Sequence, residues 1–102
     1  MAQIGTFTLK DDVWSGTIRT LTVNTRAKLV PIREKGDGAP DYRLYAGTRE
    51  IGAAWNQTPA DRAPWISVHL DDPVFARPLR AAFFGNEKEG TGVLVWNRPK
   101  AN

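Results

Sequence analysis

Pro64-Trp65-Ile66-Ser67-Val68-His69-Leu70-Asp71-Asp72-Pro73 is the stretch that settles the fold class. Ile66, Val68 and Leu70 occupy alternate positions, with Trp65, Ser67 and His69 between them. Period-two alternation sends successive side chains to opposite faces of a strand, so one face is aliphatic and the other aromatic and polar. The acidic pair and the proline then end the strand in a turn. Similar segments recur along the chain, separated by Asp11-Asp12, Gly36–Pro40, Thr58–Pro64, Asp71–Pro73 and Gly85–Gly92. Strands are predicted near 3–9, 14–23, 26–33, 41–47, 50–56, 64–70, 78–84 and 92–98. Gly36-Asp37-Gly38-Ala39-Pro40 and Asn86–Thr91 have the chemistry of hairpin loops. Two segments also fit a helix: Ile51, Ala54 and Trp55 share helical spacing, and Pro78–Phe84 has proline at its start and Gly85 just beyond. Strands are the expectation for both. The predicted architecture is all-β: a small antiparallel sandwich or barrel of six to eight short strands joined by hairpins, with at most one short helix.

The chain has 102 residues, 41% hydrophobic and 25% charged, which suits one folded domain over 1–102 and argues against disorder. No apolar run approaches the roughly 20 residues of a membrane-spanning helix, and Met1–Asp12 has no signal-peptide core. The expectation is a cytoplasmic protein with no membrane partner. Cysteine is absent, so thiol catalysis, disulfides and cysteine zinc sites are excluded. Fourteen Lys and Arg against eleven Asp and Glu leave a mild charge of +3. Nine of those cations are arginine, the one that stacks on rings and grips phosphate or carboxylate with two hydrogen bonds.

Splitting each strand by parity sorts the side chains into two sets. Leu44, Ala46, Ile66, Val68, Leu70, Leu79, Ala81, Phe83, Val93 and Val95 form an aliphatic set expected in the core. Arg43 and Tyr45, then Trp65, Ser67 and His69, then Arg80 and Phe84, then Leu94, Trp96 and Arg98 form the other. Arg26 and Lys28 extend it as a basic edge. Rings on a sheet stack unpaired bases while arginines hold the phosphates, so this second face is a candidate platform for single-stranded DNA. Tyr45, Trp65 and Trp96 are the expected stacking residues, with Arg43, Arg80 and Arg98 on phosphates. The same residue types serve equally in a second core layer or a homodimer interface.

Little in the sequence suggests an enzyme or a cofactor. His69, Asp71 and Asp72 could ligate a metal, but no second histidine completes a transition-metal set, and an acidic turn accounts for them. Ser67 and His69 lie near each other without a nucleophile elbow. Asp11-Asp12 and Glu87-Lys88-Glu89 read as solvated turns, and Gly90-Thr91-Gly92 lacks the lysine of a phosphate loop. Asn56-Gln57-Thr58 matches a glycosylation acceptor, which carries no weight without an export signal.

Six strings in order from Ile4 to Pro99 carry a family resemblance. They are Ile4-Gly5-Thr6-Phe7, Gly16-Thr17-Ile18-Arg19-Thr20-Leu21, Pro40-Asp41-Tyr42-Arg43, Gly52-Ala53-Ala54-Trp55, Ser67–Pro73 and Leu94-Val95-Trp96-Asn97-Arg98-Pro99. Together they resemble the domain-of-unknown-function 736 (DUF736) family of proteobacterial proteins. The resemblance implies a setting on plasmids, integrative elements and conjugation gene clusters, and implies no catalytic residues. In that setting two functions are expected: handling of element DNA, or interaction with a protein, including inhibition of a restriction or CRISPR defence.

Overall fold

Asp11 and Asp12 both take positive φ, 53° and 67°, which is the backbone of the two-residue turn whose twist matches paired strands. Aspartate tolerates this conformation better than most residues, so the pair forms a tight hairpin between β1 (Ala2–Lys10) and β2 (Val13–Arg19). The same meander continues around the molecule through β3 (Asn24–Pro31), β4 (Tyr42–Ala46), β5 (Arg49–Gln57), β6 (Trp65–Leu70), β7 (Leu79–Asn86) and β8 (Thr91–Trp96). The computed structural model describes residues 2–21, 23–33, 36–72 and 77–96. Each strand pairs antiparallel with the next, and β8 returns to pair with β1, closing an eight-stranded barrel. The predicted fold class is therefore observed, as the barrel and not the sandwich. All eight expected strands are present, and both helix-compatible segments are strands. No helix among the described residues is long and apolar enough to cross a membrane.

Closure leaves one interior, about wide enough in an eight-stranded barrel for side chains to fill. Phe83, Leu29, Leu44, Leu70, Leu94 and Val68 occupy its middle, each below 2% exposed or close to it. Phe83 meets Phe7 edge-on at 5.5 Å between ring centroids and Trp14 at 5.0 Å, so three rings interlock. They fit because small residues face them. A Cβ placed on Gly92 would overlap the Phe83 ring, and one on Gly85 would come within 2.8 Å of Trp14.

Two bulges adjust the phase. The register shifts between Gln3 and Gly5, and again opposite Leu44 and Tyr45, where Ile51 is left over between Glu50 and Gly52. As a result Ile51 and Ala54 are both buried, which is the physical reason their spacing mimics a helix. The expected phase of β8 is corrected. Leu94 pairs with Phe83 and is buried, and Trp96 packs against the core, whereas Val93 and Val95 take the opposite, outward phase. The run Val93-Leu94-Val95-Trp96 is apolar at both parities, so alternation carries no phase there.

Candidate functional site on the outer wall

Every residue that points away from the core lies on the outer wall of a ring, and cross-strand register fixes which of these are neighbours. One row runs from Val30 through Arg43, Ala53 and His69 to Arg80, crossing β3 to β7. The next runs through Trp55, Ser67, Ala82 and Val95. A third holds Gln57 and Trp65, with Phe84 stacked beside Trp65 at 6.3 Å and 29°. Between the first two rows the Trp55 ring meets the His69 imidazole at 4.8 Å. Small residues, Ala53, Ser67 and Ala82, separate the rings, so the aromatic surface is open and shallow.

The expected site is thus partly assembled and partly redrawn. Arg43, Tyr45, Trp65 and Arg80 all face outward. Tyr45 stands at one side, across from Lys28 on β3 and Glu50 on β5. Trp96 is removed from the face, because its parity in β8 puts it against the interior. Arg98 lies outside the described residues. Trp55 was missing from the expectation and is central to the observed surface. Its signal was the alternation with Ala54, masked by the helix-like spacing that the Ile51 bulge creates.

Trp55 is also the best anchored of these rings. Its Nε1–H donates to the Gly38 carbonyl at 3.3 Å, and the next residue's backbone N–H, that of Asn56, donates to the Asp41 carboxylate at 2.8 Å. The long 36–41 connection is thereby held against β5. Phe84 is 44% exposed, which is unusual for a large apolar side chain among the described residues.

Charge is distributed unevenly over the wall. Lys10, Arg19, Arg26, Lys28, Arg43, Arg49 and Arg80 lie on strands, all of them exposed. Glu50 is the single carboxylate on any described strand. It hydrogen-bonds Arg43, an exposed ion pair that raises the already high guanidinium pKa further. Arg80 has no carboxylate partner among the described residues and adjoins His69. Chemically, the wall offers planar rings for stacking and, at Arg80 among others, cations without a carboxylate partner among the described residues. Among the described residues no three His, Asp or Glu side chains gather as metal ligands.

Comparison with known proteins yields one match. The family described as "Protein of unknown function (DUF736)" matches residues 3–99. No curated protein and no solved structure matches the chain.

Proposed function

The chain belongs to the DUF736 family, whose function is unknown, and from the outer wall we propose a non-enzymatic cytoplasmic protein that binds single-stranded DNA. An accessory role on a plasmid or integrative element fits such a binder. One observation carries the proposal: the described strands bear seven exposed cations and a set of outward rings against a single carboxylate. Trp55, Trp65 and Phe84 would stack bases, and Arg26, Lys28, Arg43 and Arg80 would hold phosphates. From β3 to β7 the wall follows half of the eight-stranded ring, an arc of roughly 20 Å at the usual inter-strand spacing, so a bound strand of several nucleotides would wrap around the barrel.

The test is fluorescence anisotropy with a labelled oligothymidine at low ionic strength, repeated as salt is raised. Binding should weaken steeply with salt. Trp65→Ala should cost about 1–3 kcal/mol of binding free energy. Arg80→Ala should weaken binding and reduce the salt slope by about 0.7. Absence of any binding at low salt defeats the proposal.

A protein partner is the second reading, favoured by the exposure of Phe84 beside outward Val93 and Val95. A homodimer or an inhibitor of a host defence protein would bury this apolar strip. Light scattering distinguishes it, because a dimer broken by Phe84→Asp supports a self-interface and a monomer at high concentration speaks against one.

A further inference from the structure

Beyond the wall, one end of the barrel is rich in carboxylates. Turns 11–12, 58–64 and 87–90 and the described residues between β3 and β4 lie at this end, where Asp11, Asp12, Asp37, Asp41, Asp61, Glu87 and Glu89 place seven of the ten carboxylates among the described residues, against the cations Arg33, Arg62 and Lys88. Within this end a cavity of about 370 Å³ opens. Its floor is the buried pair Trp14 and Phe83, and the half-buried rings of Tyr42 and Trp65 line it. The Asn56 side chain lies by the Tyr42 hydroxyl and slightly favours its ionised form, and both residues line the same space. Glu87 completes the lining and has no cationic partner among the described residues. An adjoining hollow of about 210 Å³ shares Trp14, Tyr42 and Glu87 and adds Asp12 and Arg33. Those two pair with each other at 3.9 Å, so Arg33 faces its own carboxylate instead of neutralising Glu87.

We propose that this end cavity binds an organic ammonium ion, its cationic head against the rings of Tyr42 and Trp65 and its charge met by Glu87. Ring faces attract cations through their quadrupole, most strongly where water is displaced, and a nearby carboxylate adds to that attraction. A bare metal ion would find too few oxygen donors here, since no group of three potential ligands exists among the described residues. Phosphates and carboxylates would be repelled by Glu87, so the cavity differs in charge from the basic wall, with which it shares the Trp65 ring. The negative field is visible at Tyr42 itself. Burial and then the charges of Glu87, Asp41 and Asp12 push its phenol above the ordinary value of 10.0, against a smaller opposite effect of the Asn56 side chain. Ammonium heads come from two sources, a free quaternary amine or the lysine side chain of a peptide.

The test titrates the full chain with choline, with its uncharged carbon isostere 3,3-dimethylbutan-1-ol, and with N-acetyl-lysine methylamide, following tryptophan indole N–H resonances. At least one cation should shift the Trp65 resonance saturably and bind about tenfold or more tightly than the alcohol. Glu87→Gln should weaken cation binding about tenfold while leaving the melting temperature unchanged, and it should lower the Tyr42 pKa. Preference for choline assigns a free amine, and preference for the lysine derivative assigns a peptide side chain. If the alcohol binds as well as either cation, or neither cation saturates at millimolar concentration, the proposal is wrong. Arg80→Ala serves as a control, since it should disturb oligonucleotide binding and leave the cavity's affinity intact.

Discussion

Phe83 and Phe84 are consecutive, chemically identical and in opposite surroundings. Phe83 has no exposed surface and interlocks with Phe7 and Trp14, whereas Phe84 is 44% exposed and stacks on Trp65. Neither hydrophobicity nor neighbourhood in sequence separates them. Parity in β7 does, because one residue along a strand is the difference between the inside and the outside of a closed ring. The interior side of the wall holds the barrel together, and the outer side presents the same ring type to solvent.

The largest expected departure from symmetry between the two is in stability. Phe83→Ala should cost about 3–5 kcal/mol in chemical denaturation, since it empties the point where three rings meet. Phe84→Ala should change stability by only about 0.5 kcal/mol, and should instead show in oligonucleotide or partner binding. If the two losses were equal, the division of the wall into a structural and a presenting side would fail. The smallest effect is confined to alkaline pH. Tyr42 keeps its proton in the folded barrel above 10.0, where the unfolded chain ionises. A folded-state pKa raised in this way leaves stability intact below pH 10.0, and stability is lost as pH rises through the folded value. Melting temperatures measured on both sides of that pH should fall on the alkaline side, and less so in Tyr42→Phe. An unchanged alkaline limb in the variant would remove Tyr42 as its source.

Most of the barrel was legible from local chemistry. The turn at Asp11-Asp12, the loops at 36–40 and 86–91, and the clean alternation of Ile66, Val68 and Leu70 each act over a few residues. Closure was not legible, because the pairing of Gly5 with Leu94 joins opposite ends of the chain and leaves no local mark. The candidate surface was legible wherever polar residues marked the outside, as Arg43 and Arg80 do. It failed at Trp96, where both parities are apolar, and at Trp55, where a bulge replaced a simple period of two. The end cavity was invisible for a different reason. Trp14, Tyr42, Asn56, Trp65 and Glu87 come from five different segments that only the closed ring gathers.

The seam between β1 and β8 has a consequence for how any partner can be held. An open sheet exposes a row of unpaired backbone N–H and C=O groups at each edge, and many proteins capture peptides by adding a strand there. In this barrel every strand has two hydrogen-bonded neighbours, from Ala2 opposite Trp96 around to Asn86 opposite Thr91. Among the described residues no strand edge is left to extend. A partner strand therefore cannot add to this sheet, and a ligand of the wall would have to be held by outward side chains.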